Sequence, residues 1–253
     1  MTGRLIICTL LIAFTCIGQA KGDIISEFDP NPQGSDPSVT TFELSGTASA
    51  MFDLWIVSIE SDTTSPLGVV DRASAVSGTY DANGLAVVTV PDFENPSFTV
   101  VLLDEFTGTV GTTDVDTNDD GMVDDTSAFT GVMDAIFIPD NTADESVVYG
   151  TDFGGVNMSA IDQSGSFSTE PEVAFRDMST GDWYVVNTQF FDGQIFDSNG
   201  NDVLATGGSF SGSGDGFSTT YGRINPTFTP VPEPSSCIVL FGLASGLVMR
   251  RRR

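Results

Sequence analysis

The chain contains no histidine, and only nine of its 253 residues are lysine or arginine. Without imidazole, Ser-His-Asp and Cys-His nucleophilic arrangements are absent, and imidazole metal sites with them. Five of the cations stand at the two ends, leaving Lys21, Arg72, Arg176 and Arg223 between residues 21 and 232. Lys21 is the lone lysine there, so lysine nucleophiles are excluded from the interior of the body. Cysteine is equally scarce: Cys8, Cys16 and Cys237 all lie in apolar terminal stretches. The body therefore has no disulfide and must be stabilised by packing, with bound metal as a further candidate.

Acid is what the chain has in excess. Of its 35 acidic residues only Glu233 lies in the tail, so the body carries 34 acidic against 4 basic side chains, a formal charge of −30. Such a surface repels nucleic acid and anionic headgroups, whose binding needs clustered lysine and arginine. Cations are the expected small partners. The apolar runs and many aromatics argue against disorder, and roughly 200 residues suffice for one large β domain or two small ones.

The patterning is mainly β. Residues 39–46 and 52–59 alternate with period two, and residues 98–103 are almost wholly apolar, as a central strand buried on both faces requires. The Asn83-Gly84 pair predicts a hairpin joining strands near 76–80 and 84–90. Further strands are expected at 135–138, 146–153, 166–175, 183–191 and 194–196. Turn residues recur about every ten positions, which fits a β-sandwich.

The ends carry addressing signals. Arg4, an apolar run over residues 5–17 and Gly18-Gln19-Ala20 describe a secretory signal helix cleaved after Ala20. Residues 231–253 read VPEPSSCIVLFGLASGLVMRRRR: a Pro-Glu-Pro turn, a short apolar helix over 236–249, and four arginines. The helix is shorter than the usual ~20-residue span, so Arg250, Arg251, Arg252 and Arg253 must help by reaching cytoplasmic headgroups and setting orientation.

Val231, Pro232, Glu233 and Pro234, followed by the apolar helix and the arginines, resemble the PEP-CTERM protein-sorting tail of Gram-negative bacteria that make extracellular polysaccharide. The resemblance implies transient anchoring in the inner membrane, cleavage near Pro232, Glu233 and Pro234 by an exosortase, and transfer of the body to the cell surface or beyond. An ordinary tail anchor is the alternative. A second resemblance lies at the start of the body. Ser26-Glu27, Asn31-Pro32, Gly34, Asp36 and Phe42-Glu43-Leu44 resemble the opening of bacterial lamin-tail-like domains, which implies an immunoglobulin-like sandwich that binds or spaces. The expected organisation is a signal peptide (1–20), a lamin-tail-like sandwich (21–162), a further β segment (163–228) and the sorting tail (231–253). The segment 163–228 either forms its own unit or completes the same sandwich.

One stretch of the body carries chemistry. In Asp116-Thr117-Asn118-Asp119-Asp120-Gly121-Met122-Val123-Asp124-Asp125, the residues Asp116, Asn118 and Asp120 take positions 1, 3 and 5 of an EF-hand-type loop. Gly121 supplies the turn, Met122 a carbonyl at position 7, and Asp124 position 9. Alternate oxygens on a tight loop converge on one hard cation, so structural Ca2+ is expected at a weak site of about 0.1 to 1 mM. Position 12 is Ser127 rather than a bidentate glutamate, with Asp125 as substitute and Asp114 nearby. The alternative is an acidic solvated loop held by Asx-turns.

Other segments read more plainly. Residues 197–202 suit a hairpin turn, and the Ser/Gly-rich 209–216 a flexible turn or linker. Trp55, Trp183, Tyr184, Phe190 and Phe191 are either core or sugar-stacking faces. Glu27, Glu43, Glu60, Glu94, Glu105, Glu145, Glu170 and Glu172 supply carboxylates for a glycoside hydrolase pair, but the spacing selects none. With the tail's resemblance to those of polysaccharide producers, which implies glycan association, the expectation is an exported, non-catalytic matrix protein that binds extracellular polysaccharide. The alternatives are a protein-binding adhesin or spacer, and a secreted glycosidase.

Overall fold

A computed structural model describes residues 22–32, 34, 37–93, 97–164 and 169–231. The signal helix 1–20, the membrane helix 236–249, Asp36, Glu94 and the tail positions from Pro232 to the terminal arginines lie outside them. Among the described residues no helix is long and apolar enough to cross a membrane.

Among the described residues the body has two large, mainly antiparallel sheets and one two-stranded ribbon. The first has the order β11-β10-β9-β1-β2-β5, from Phe196–Asp197, Trp183–Val186, Val173–Arg176, Ile24–Phe28, Val39–Ser45 and Leu85–Pro91. The second has the order β4-β3-β6-β7-β8, from Val70–Thr79, Met51–Glu60, Phe98–Phe106, Phe129–Ile138 and Val156–Asn157. One apolar cluster joins them. It takes Ile25, Phe28, Phe42, Leu44, Trp183 and Val185 from the first sheet and Leu54, Ile56, Phe98, Val100, Leu102 and Ile136 from the second. Segment 163–228 thus contributes β9, β10 and β11 to the sheet that begins with β1.

Period two decides which side chains meet. On β3 the alternates Phe52, Leu54 and Ile56 face the shared core, while Val57 and Ile59 enter a second cluster on the far side with Val101, Leu103, Phe137 and Tyr149. Residues 98–103 of β6 are buried throughout, as expected of a strand covered on both faces. The outer face of the first sheet is covered too. There Phe175, Tyr184, Val186 and Ile195 meet Phe210, Phe217 and Phe228 from the C-terminal segment.

The strand expected over 183–191 ends at Val186 and passes into a turn, and three further expectations need correction. The Asn83-Gly84 turn closes no hairpin: β4 pairs with β3 in the second sheet and β5 with β2 in the first, so the turn is a crossover between layers. The Asp81 carboxylate accepts the N–H groups of Asn83 and Leu85, shaping the turn locally without deciding which strand its arms join. Residues 146–153 form no strand; a short helix α1, Tyr149–Asp152, follows a 3-10 turn at Asp144–Ser146. Its Tyr149 and flanking Phe153, one turn apart, both enter the second cluster. The segment expected as flexible, 209–216, contains β12, Ser209–Ser211, paired with β13, Thr227–Thr229. Phe210 anchors it, with ring centroids 5.0 Å from Tyr184 and 5.2 Å from Phe228.

The two sheets are also tied by charge. Asp134 of β7 accepts the Ile25 N–H at 2.9 Å and both Arg176 Nη2 contacts, at 2.8 and 2.7 Å. A bulge between Leu102 and Leu103 in the β6-β7 register precedes this pairing and turns Asp134 toward the other sheet. The guanidinium also stacks 4.6 Å from the Trp183 ring centroid.

Candidate functional site

The acidic loop lies on the outer face of the second sheet, anchored by Val115, which is fully buried. Val115 donates its N–H to Gly68 O at 2.9 Å, and its carbonyl accepts from Asp124 N at 2.7 Å. Asp116 is also fully buried and organises the loop. Its Oδ1 accepts the Asp120 N–H at 3.1 Å, and its Oδ2 accepts Gly121 N–H at 2.7 Å and the Tyr149 hydroxyl at 2.6 Å. Burial, then the Asp116 bond, pushes the Tyr149 phenol well above its usual range. The phenol stays a neutral donor.

Gly121 is required at its position. Its φ is +84°, and a Cβ there would stand 2.9 Å from the Ser146 carbonyl oxygen. Asp119, at φ +55°, takes the left-handed conformation that aspartate tolerates, and its carboxylate caps Leu67 N–H at 3.0 Å.

The remaining predicted ligands are exposed and bond within the loop. Asn118 Oδ1 accepts Asp120 N–H at 3.0 Å, Asp120 Oδ1 accepts Met122 N–H at 3.0 Å, and Asp124 Oδ2 accepts the Thr117 hydroxyl at 3.0 Å. Asp125 takes Ser127 N–H at 2.8 Å, and that bond holds its carboxyl below the usual range. Asp116, Asn118 and Asp120 thus share one tight loop. Among the described residues, however, no three histidine, cysteine, aspartate or glutamate side chains gather as a metal-holding group. An ionised carboxylate has about four lone-pair sites, so each aspartate here retains acceptor capacity beyond its backbone bonds.

Two contributors were not legible from loop spacing. Tyr149 and Asp152 come from α1, the latter accepting Val123 N–H at 2.9 Å, and both close the loop from outside it. Tyr149→Phe would leave buried Asp116 with one fewer donor and cost about 1 to 3 kcal/mol. The expected result is a lower melting temperature with faster amide exchange at Gly121 and Val148, while the amides of β10 stay unchanged.

The other candidates separate clearly. Trp183 and Tyr184 are 2% and 4% exposed and belong to the interior, and Trp55 packs on Phe106. Phe191 is half-buried against Phe196, and Phe190 is exposed. Residues 197–202 form a turn in which Asp197 accepts the N–H groups of Asn199 and Asn201. Among the described glutamates, Glu27 and Glu43 are buried side by side on adjacent strands. Burial, partly offset by the Thr220 backbone N–H and reinforced by Glu43, raises the Glu27 pKa to about 7. Both carboxylates lie beneath the C-terminal segment, where Glu27 bonds Thr220 and Glu43 bonds Gly222.

Residues 230–253 match the PEP-CTERM protein-sorting motif. That motif marks the chain for export and for membrane-associated sorting by an exosortase. No curated protein and no solved structure matches the chain.

Proposed function

We propose that the body is a non-catalytic structural protein of the extracellular polysaccharide matrix, delivered by its sorting tail and stiffened by calcium. The observation that carries this reading is the use of the aromatic side chains. Trp183 and Tyr184 fill the interior, and Phe190 is the one aromatic among the large exposed apolar residues described, so the described residues present no stacking platform for sugar rings. Contact with acidic polysaccharide would then run through divalent cations shared between the glycan and a body of formal charge −30. Calcium at the acidic loop would be held by Asp116, Asn118, Asp120, the Met122 carbonyl and Asp124, with Asp125 beside them. It would neutralise charge there and tie α1 to the second sheet. An immunoglobulin-like sandwich of the lamin-tail type is the finer fold this reading favours.

Calcium at 10 mM is expected to stabilise the body by about 1.5 to 3 kcal/mol, the linkage expected at 10 to 100 times a weak Kd. Asp116→Asn should abolish that gain, and an equal response in both proteins would sink the loop as the site. For the glycan, the body and host polysaccharide are run together on a sizing column with calcium or with chelator. Co-elution in calcium alone, with polymer length unchanged, supports the proposal. Shortened polymer would establish a glycosidase instead.

Separate elution of both would favour a spacer that contacts protein. The outer edge of β5, which pairs among the described strands with β2 alone, favours that second reading.

A further inference from the structure

The last strand of the body, β13, ends at Thr229, and only Pro230 and Val231 separate it from Pro232. Three residue steps reach about 10 Å at full extension. A membrane-embedded enzyme acting near Pro232, Glu233 and Pro234 would therefore meet a folded body almost in contact with it.

The segment that makes this linker so short is held by an unusual set of bonds. Glu27 accepts Thr220 N–H at 2.8 Å and the Thr220 hydroxyl at 3.2 Å, and Glu43 accepts Gly222 N–H at 2.7 Å. Asn225 donates to Ser26 O at 2.7 Å and to Arg176 O at 3.1 Å, and Phe228 N–H donates to Asp177 at 2.8 Å. Tyr221 donates to Thr41 O at 3.0 Å. Most of these partners belong to β1, β2 and β9, so residues 213–231 lie across the first sheet as a strap. The strap is fastened by polar bonds, with Phe217 and Phe228 as its apolar contacts, and β13 pairs only with the three-residue β12. None of its side chains belongs to the shared core between the sheets.

Resting on the exosortase reading of the tail, we propose that residues 213–231 form a releasable strap that undocks from β1 and β2 before the sorting motif is cut. Released, its 19 residues behave as a flexible linker of about 25 Å root-mean-square span, far enough to carry the motif clear of the body. Docked, the strap seals the outer face of the first sheet and withholds the motif.

The test follows tail removal from the full chain in a host that sorts such proteins, by pulse-chase. Eight Gly/Ser residues inserted between Val231 and Pro232 supply the linker without undocking, at a site where Val231 is already exposed. This variant should be processed several-fold faster than the natural chain. Asn225→Ala, which leaves Ser26 and Arg176 carbonyls without their donor, should populate the undocked strap about tenfold more and also speed processing. Combining it with the insertion should add nothing. Unchanged rates for both single variants would overturn the strap. A natural chain that is never processed, with the insertion equally inert, would instead overturn the sorting reading on which it rests.

Discussion

Arg176→Met is expected to destabilise the body by about 3 kcal/mol at pH 8, the low end of the cost of stranding one member of a buried ion pair. Asp134 is 7% exposed and loses a two-contact partner, keeping the Ile25 N–H as its link to the first sheet. Burial already raises the Asp134 pKa above its usual value even with Arg176 opposing that rise. Removing the guanidinium therefore pushes the carboxyl further up, and protonation then relieves the stranded charge. The penalty should shrink as pH falls from 8 toward 5, which separates lost charge pairing from lost packing against Trp183. Arg176→Met combined with Asp134→Asn should recover much of the loss at pH 8. Urea unfolding of the four proteins at both pH values measures the cycle, and a penalty independent of pH would show that packing on Trp183 dominates.

The natural body should be more stable at pH 5 than at pH 8, and Glu27 should account for about 2 to 3 kcal/mol of the difference. Its pKa rises from 4.5 to about 7 on folding, so the folded state holds the proton more tightly. That contribution is fully present below the unfolded pKa near 4.5 and is lost as pH rises through about 7. Asp29, Glu43, Glu60 and Asp71 are raised as well, each first by burial, and act in the same direction. At Asp144 burial works the other way but is outweighed by hydrogen bonds from Ser97 and Thr63, leaving the pKa lowered. Its contribution is lost only as pH falls below the usual aspartate range, so stability should peak between pH 4 and 5. Glu27→Gln cannot ionise, and should be more stable than the natural protein at pH 8 while losing most of its own share of the acid gain. In melting temperature that share is about 5 to 10 °C for a body of this size. An unaltered pH slope in Glu27→Gln would assign the effect to the other carboxylates.

Both predictions concern groups whose partners are remote in the chain, and this divides what the sequence could show. The alternating run that became β3 and the apolar run that became β6 were legible because burial on one or two faces imposes its period on neighbouring residues. Much of the acidic loop was legible for a related reason: Asp116, Asp120 and Asp125 each accept a backbone N–H within a few residues, so spacing alone describes much of the turn. The sorting tail is likewise a local signal, with the Pro-Glu-Pro motif, the apolar run and the arginines contiguous in the chain.

The rest depended on contacts that no local pattern encodes. Asn83-Gly84 sets a turn, but whether its arms pair with each other or with β3 and β2 depends on which sheet buries more of each strand. Tyr149 and Phe153 suit a strand or a helix equally well, and the hydrophobic cluster beneath selects the helix. Glu27 lies 193 residues from Thr220, and Arg176 lies 42 from Asp134. Local sequence determined where the chain bends, which faces it must bury and where it is sent. Tertiary structure alone decided which acids are buried together and what holds them, because the free energy of a buried charge depends on partners that only the folded chain brings within reach.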